Sequence, residues 1–134
     1  KDHGIKPDEE LIRHMRPEIK SYSMESGYVL TRELLDSGKE FTAIFALSDT
    51  MAVGACRAIV EAGKRVPEDY SVAGFDGIEL CSYYNPTLTT IRQPIQHIAE
   101  ASVKLLFDIL AGRSGHQHKV FAGELLEQES TAKR

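Results

Sequence analysis

Three kinds of side chain that recognise small polar molecules stand near the ends of apolar segments. They are an aromatic ring at Tyr22, a hydroxyl beside a carboxylate at Ser48 and Asp49, and a carboxylate at Asp76. A tyrosine ring can stack on the face of a sugar or purine. A fixed carboxylate accepts hydrogen bonds from two hydroxyl groups. If the fold brings these side chains together, they predict a site for a small polyhydroxylated ligand.

Each of these residues also has a purely structural interpretation. Asp49 stands where the N-cap of a helix is expected, and Tyr22 can belong to the core. Asp76 precedes Gly77, a pair that is typical of a turn. The position of the residues relative to the predicted strands therefore decides between binding and structure.

Predicted strands and helices alternate along the chain. Extended segments are expected over 19–23, 41–47, 70–76, 88–91 and 119–126, and helices over 7–12, 27–37, 49–62, 78–84 and 95–112. This alternation predicts an α/β fold with a parallel sheet and helices on both faces. In such sheets ligands bind beyond the carboxyl ends of the strands, which is where Tyr22, Ser48 and Asp76 are placed.

The clearest helical pattern runs over 95–112. Its apolar residues recur at helical spacing and include Ile95, Ile98, Leu105, Leu106 and Ile109. Each large apolar side chain left in water forgoes roughly 1.5–3 kcal/mol of burial. We therefore predict that this helix packs on the chain's own sheet, on a second copy, or on a separate fragment.

Composition excludes several classes of protein. The 134 residues are 42% hydrophobic and 27% charged, as in one ordinary globular domain. A formal net charge of −4 argues against a nucleic-acid-binding surface, which is usually basic. No apolar run approaches the roughly 18 residues that span a bilayer, so no membrane partner is expected. Cys56 and Cys81 have no metal or redox spacing and favour a reduced, cytoplasmic compartment.

Common catalytic signatures are absent from the sequence. It has no Gly-x-Ser-x-Gly motif, no Gly-rich phosphate loop and no His-Glu-x-x-His motif. His116 and His118 stand in a polar loop and are expected to be solvated. We therefore predict no enzyme activity, no cofactor and no metal site. The alternative is a small α/β enzyme that uses Asp49 or Asp76 as a base, with a histidine beside it.

Three stretches closely resemble the LacI/GalR family of bacterial transcription repressors. They are FALSDTMAVGA at 45–55, GKRVPEDYSVAGFD at 63–76 and PTLTTIRQP at 86–94. Three long motifs in this order are specific, and the resemblance covers nearly the whole chain. It implies a fold like that of type I periplasmic binding proteins, with an incomplete C-terminal lobe. The third motif favours the repressors over the related periplasmic sugar-binding proteins.

The resemblance also implies a domain organisation. Family members carry a helix-turn-helix domain and a hinge helix before a two-lobed, effector-binding core that dimerises. Residues 1–90 would form the C-terminal lobe without its first strand and helix, and 91–124 would belong to the N-terminal lobe. Residues 125–134 would return to the C-terminal lobe. The sequence begins at Lys1 and looks like a piece of a longer protein, whose DNA-binding domain lies outside it.

By position, the resemblance assigns three effector contacts. Tyr22 matches the family's stacking aromatic, Ser48 a polar contact, and Asp76 the acidic contact to ligand hydroxyls. Sugar-binding members often have Asn where this chain has Ser48. The effector of this chain therefore cannot be inferred from that of any single member.

A homodimer is the second partner that the resemblance implies. The candidate interface residues are Met51, Ala55, Tyr83 and Tyr84, whose alternative is an ordinary place in the core.

The implied function is to sense a small sugar, nucleoside or related metabolite for a cytoplasmic repressor. The effector would control operator DNA binding allosterically, through the domain that this chain lacks. The alternative is a periplasmic-type solute-binding protein of a transport system, which a signal peptide in the full-length sequence would identify.

Overall fold

The computed structural model describes residues 4, 6–113, 115 and 117–133. Within them, four strands form one sheet in chain order: β1 (Ala43–Phe45), β2 (Ser71–Asp76), β3 (Thr89–Arg92) and β4 (Glu124–Leu126). The first three strands are parallel, and β4 is antiparallel to β3. The prediction of an α/β fold with a parallel sheet and flanking helices is confirmed except at β4, which runs antiparallel to β3.

The helices are α1 (Met24–Asp36), α2 (Asp49–Glu61), α3 (Leu80–Tyr83) and α4 (Ile95–Leu110), and a 3₁₀ turn covers Glu9–Leu11. A reciprocal cap starts α1, because the Ser23 hydroxyl accepts the Ser26 amide and the Ser26 hydroxyl accepts the Ser23 amide. The cap places the start of α1 earlier than the pattern predicted. Such local hydrogen bonds define where a helix can begin.

The backbones of α1 and α2 are in direct contact. A Cβ on Gly27 would lie 2.1 Å from the carbonyl oxygen of Met51, and one on Gly54 would lie 1.9 Å from that of Met24. Because only glycine lacks a Cβ, these two positions allow the close approach. The contact fixes α2 against α1 and so holds the residues that join β1 to α2.

The core lies where α2 packs on β2, with α1 packed against α2. Its fully buried members are small or branched apolar side chains, including Ala52, Ala55, Cys56, Ile59, Val72 and Leu88. The small residues of α2 allow its backbone to lie close to β2. The start of α2 is thereby held next to the carboxyl end of the sheet.

The predicted extended segment over 19–23 is not a strand. These residues form turns, and Tyr22 has a φ of 54° in the left-handed region. Of the two alternatives for an extended segment here, a strand or a loop, the strand is wrong, because Ser23 belongs to the cap of α1 and the preceding residues must turn into it. The predicted strands over 41–47 and 119–126 are confirmed only in part, as the shorter β1 and β4.

No residue of α4 is buried. Its large side chains are open to solvent, with exposed fractions of 62% for Phe107 and 72% for Leu110. The alternative that this helix packs on the chain's own sheet is therefore wrong, because none of its residues is buried. Packing of this helix on a second copy of the chain or on a separate fragment stays a prediction. Among the described helices none is long and apolar enough to cross a membrane.

The segment after β4 returns to the parallel strands. Ser130 is fully buried there, and its hydroxyl donates to the Val72 carbonyl at 2.6 Å while accepting the Thr89 amide at 2.8 Å. The Ser130 carbonyl also accepts the Val72 amide at 2.8 Å. One residue of the tail thus joins β2 to β3 near their amino ends.

Candidate functional site

The connection from β1 to α2 carries Ser48 and Asp49. The Ser48 hydroxyl accepts the Met51 amide at 3.3 Å and lies 3.0 Å from the Thr50 hydroxyl. Ser48 is therefore the N-cap of α2, and the interpretation of Asp49 as that cap was wrong. Both residue types are good caps, so local preference could not separate them. Ser48 is only 5% exposed.

Tyr22 is tied to the same connection through its backbone. Its carbonyl oxygen accepts a hydrogen bond from the Thr50 hydroxyl at 2.5 Å. The Tyr22 side chain is 54% exposed, so its ring is open to solvent beside the start of α2. Thr50 therefore links the first two candidate residues, Tyr22 and Ser48, although sequence reasoning did not single it out.

Asp76 is the last residue of β2 and is half-buried. Its φ of 126° is rare for a residue with a side chain, and such strain persists only where neighbouring contacts hold it. The Gln93 side-chain amide donates to Asp76 Oδ1 at 2.7 Å, and the Gln93 backbone amide donates to the Asp76 carbonyl at 3.2 Å. Gln93, which follows β3, thus orients the carboxylate of Asp76.

The Asp49 side chain is fully buried and joins three parts of the fold. Its Oδ1 accepts the Thr90 hydroxyl at 2.6 Å, and its Oδ2 accepts the amides of Gly77 at 2.7 Å and Ile78 at 2.8 Å. Burial, followed by hydrogen bonding with Asp49, raises the pKa of the neighbouring Cys81 thiol to about 12. From the sequence alone, Asp49 was interpreted as a helix cap, a ligand-binding carboxylate or a base, but not as a link between distant segments.

These contacts bring Tyr22, Ser48 and Asp76 to one edge of the sheet. Ser48 follows β1, Asp76 ends β2, and the Asp49 side chain connects the two loops. The edge offers an exposed aromatic ring, hydroxyl groups and a held carboxylate, which can bind the hydroxyls and the apolar face of a small ligand.

The Asp49 and Asp76 carboxylates accept no hydrogen bond from a histidine in the described part of the chain. Their partners are Thr90, Gly77, Ile78 and the Cys81 thiol for Asp49, and Gln93 for Asp76. The described residues also contain no group of three or more potential metal ligands. His118 is exposed, whereas His116 lies outside the described residues.

Two cavities among the described residues are lined by neither Tyr22, Ser48 nor Asp76. A groove of about 380 Å³ runs between α1 and β1 and is lined mainly by apolar residues such as Leu30, Leu34, Ile44 and Met51. A second hollow of about 910 Å³ lies over the outer sides of α1 and α2, where Tyr28, Arg57 and Tyr84 line it.

The four candidate dimer residues fall into two groups. Met51 and Ala55 are 6% and 1% exposed and belong to the core, so they present no surface to a second copy. Tyr83 is 79% exposed, and Tyr84 is half-buried at the rim of the second hollow. Sequence reasoning missed Val60, whose side chain is 61% exposed on the outer side of α2.

Comparison with known proteins places the chain in a family. The family model described as a periplasmic binding protein-like domain matches residues 1–131. The transcriptional regulator MalR of Clostridium butyricum is 40% identical over 129 residues, which are 96% of this chain and 37% of that protein. The chain thus spans little more than a third of that curated relative.

Two solved structures match the fold at substantial identity. A LacI family regulator from Enterococcus faecium with bound ribose is 44% identical, with a TM-score of 0.71 over 83% of this chain and 41% of that one. The lac repressor dimer bound to operator and the anti-inducer ONPF is 36% identical, with a TM-score of 0.78 over 84% and 39%. The chain therefore belongs to the periplasmic binding protein-like domain family, in the form carried by LacI-family transcriptional regulators.

Proposed function

We propose that this chain is the effector-sensing and dimerising part of a bacterial transcriptional repressor. The observation that carries the proposal is the common edge that holds Tyr22, Ser48 and Asp76. The relatives are regulators, and the Enterococcus faecium structure contains ribose. A small sugar, nucleoside or related metabolite is the ligand class that this edge suits.

Each candidate residue has a distinct role in this proposal. The exposed Tyr22 ring stacks on the apolar face of the ligand. Asp76 binds ligand hydroxyls with Oδ2, to which no described residue hydrogen bonds, while Gln93 holds Oδ1. Thr50 donates its hydroxyl proton to the Tyr22 carbonyl, so Ser48 is the donor to Thr50. Each of the two hydroxyl oxygens keeps a lone pair that can accept a hydrogen bond from a ligand hydroxyl.

The regulatory step is a shift between two conformations of the intact core. An effector that binds between the lobes changes their relative orientation only if it binds one orientation more tightly. In a dimer, this change would alter the spacing of two DNA-binding domains outside this chain and so their affinity for operator DNA. As a bacterial repressor, the protein would act in the cytoplasm, where its operator is.

We divide the chain as residues 1–90 and 125–134 in one lobe and 91–124 in the other. The buried Ser130 bonds to β2 and β3, which supports placing the tail with the first lobe. The uncovered apolar residues of α4 support placing that helix in a lobe completed by other parts of the protein.

For the homodimer, we propose the outer surface around α2 and α3. Tyr83 and Val60 are largely exposed there, and Met24 is 46% exposed. These residues take the place of Met51 and Ala55, which are buried. The mass of the intact protein in solution tests the dimer, and a stable monomer at high concentration would contradict it.

A transport role as a solute-binding protein has less support. The curated relatives and the solved structures that name a function are transcriptional regulators. The likeness to periplasmic binding proteins is one of domain type, and the same domain type serves the regulators.

The test uses the intact regulator and a panel of ribose, other sugars and purine nucleosides. Thermal shift identifies the ligands that bind, and calorimetry then compares Asp76→Asn with the wild type. We expect a loss of affinity of about tenfold or more, because a charged hydrogen bond to ligand is weakened. Asp36→Asn is the matched control, since Asp36 is an exposed carboxylate at the end of α1. Failure of every sugar and nucleoside to bind, or unchanged affinity in Asp76→Asn, would contradict the proposal.

A further inference from the structure

Asp49 is a buried carboxylate that the proposed ligand contacts do not use. Taking a charged group out of water is costly unless it is paired or fully hydrogen-bonded. Among the described residues no ion pair reaches Asp49, and its partners are neutral: the Thr90 hydroxyl, the amides of Gly77 and Ile78, and the Cys81 thiol. Three of these donors, Thr90, Gly77 and Ile78, converge on the carboxylate from the segments that position Asp76.

Two of these donors belong to the turn that directly follows Asp76. Asp76 and Gly77 have positive φ values of 126° and 75°, so the chain reverses sharply there. Such a conformation is strained for Asp76 and needs external support. Oδ2 of Asp49 supplies that support, because it accepts both amides that the turn presents.

The third donor belongs to β3, which leads to the other residue that orients Asp76. Thr90 donates to Oδ1 of Asp49, and Gln93 farther along bonds to both the carbonyl and the carboxylate of Asp76. The turn lies tightly on the end of β3, since a Cβ on Gly77 would be 2.6 Å from Cα of Arg92. Asp49 thus fixes the two segments next to Asp76, which are the turn that follows it and the strand β3 that leads to Gln93.

We propose that Asp49 is a positioning residue, whose buried carboxylate sets the turn after β2 and thereby aims Asp76 at the effector. This inference rests on the proposed function for the role of Asp76. Asp49 itself is fully buried and does not contact the ligand.

The geometry predicts an unusual order among variants. In Asp49→Asn, the amide oxygen can face Gly77 and Ile78 while the NH₂ group donates to Thr90, because a hydroxyl can also accept. All three hydrogen bonds survive without the charge. Asp49→Ala removes all three, and Thr90→Val removes only the bond to Oδ1. We therefore expect the affinity for the effector to fall in the order wild type, Asp49→Asn, Thr90→Val and Asp49→Ala.

The first measurement needs no ligand. Amide hydrogen exchange and the NMR signals of the Gln93 side-chain amide are recorded for the intact regulator and its variants. We expect protected Gly77 and Ile78 amides in the wild type, Asp49→Asn and Thr90→Val, and loss of protection at both amides in Asp49→Ala. The Gln93 side-chain signal should shift in Asp49→Ala, because its Asp76 partner has moved.

The second measurement is affinity for ribose, or for the sugar or nucleoside that the panel identifies. We expect Asp49→Asn to stay within about twofold of the wild type, Thr90→Val to lose about threefold and Asp49→Ala about tenfold or more. Ser130→Ala is the control for general destabilisation, because Ser130 is equally buried but joins the opposite ends of the strands. It should lower the melting temperature without changing affinity.

The outcomes separate the two proposals. Protected turn amides together with unchanged affinity in Asp49→Ala would overturn the positioning role. If Asp49→Ala does not fold, a loss of turn protection in Asp49→Asn, or unchanged affinity in Thr90→Val, would overturn it. If the wild type binds no panel ligand, the proposed function fails, and the exchange data alone decide whether Asp49 positions the turn.

Discussion

α2 and α4 are helices of similar length in opposite surroundings. Most residues of α2 are buried, whereas no residue of α4 is. The side of α2 that faces the core carries mainly alanines and a glycine, which allow close contact with α1 and the sheet. α4 carries large side chains such as Leu106 and Phe107, which need a wide complementary surface. Small residues therefore mark contacts made within this chain, and large exposed ones mark contacts made beyond it.

The boundary between these two regions passes through the candidate site. β3 leads through Gln93 into α4, and Gln93 is the residue that bonds to Asp76. A ligand that changes how Asp76 is held can therefore act on the path of the chain towards α4. This arrangement is what a sensor needs if α4 belongs to a second lobe.

The largest difference between the regions is expected from a matched pair of isoleucines. Ile59→Ala in α2 should lower the free energy of unfolding by about 2–5 kcal/mol, because a fully buried side chain is lost. In this 134-residue chain by itself, Ile95→Ala in α4 should change it by less than about 0.5 kcal/mol, since Ile95 is 62% exposed there. Urea denaturation measures both. A large effect of Ile95→Ala would mean that another surface covers α4 in solution.

Two serine variants, one in the buried tail and one in α4, should differ less in unfolding free energy than the two isoleucine variants. Ser130→Ala should cost about 1–3 kcal/mol of unfolding free energy, because it leaves the buried Thr89 amide without its partner. Ser102→Ala in α4 should be nearly neutral, since that exposed hydroxyl bonds only to the preceding turn at Ile98. Equal effects in thermal and urea denaturation would show that the tail does not hold β2 and β3 together.

The stability of the core around α2, which contains Cys56 and Cys81, should fall at alkaline pH. Burial, as the main cause, raises the pKa of both the Cys56 and the Cys81 thiol from 9.0 to about 12. The unfolded chain then ionises its thiols at lower pH than the folded chain, so stability is lost as pH rises from 9 towards 12. One unit above the ordinary pKa, the loss is about 1 kcal/mol per thiol.

Urea denaturation across this pH range, with Cys56→Ala and Cys81→Ala as controls, measures this loss. Each variant should show a shallower decline of the unfolding free energy with pH than the wild type. An identical decline in the wild type and in both variants would contradict the assignment of the effect to the thiols.

The positions of most helices and strands could be predicted from local patterns. The apolar runs before Ser48 and Asp76 predicted β1 and β2, and the apolar spacing of 95–112 predicted α4, because these signals depend on neighbouring residues alone. At Tyr22 a strand was one alternative and is wrong, since the cap at Ser23 requires the preceding residues to turn. The antiparallel direction of β4 leaves no mark in local spacing.

The residues of the candidate site were also predicted only in part. Its three residues were proposed from their places after predicted strands, with roles taken from a family resemblance. Asp49 was not recognised as a link between distant segments, because its partners Gly77, Ile78 and Thr90 are far away in sequence. Hydrogen bonds between distant residues have no periodic signature.

By itself, then, the amino-acid order determined where regular structure forms and which residue types stand at the strand ends, since backbone preferences and apolar periodicity act over a few residues. Only the tertiary structure decided that Ser48 caps α2 and that Asp49 is buried beneath the turn after β2. It also decided that α2 is covered while α4 is not. The physical reason is that burial depends on which distant surfaces meet.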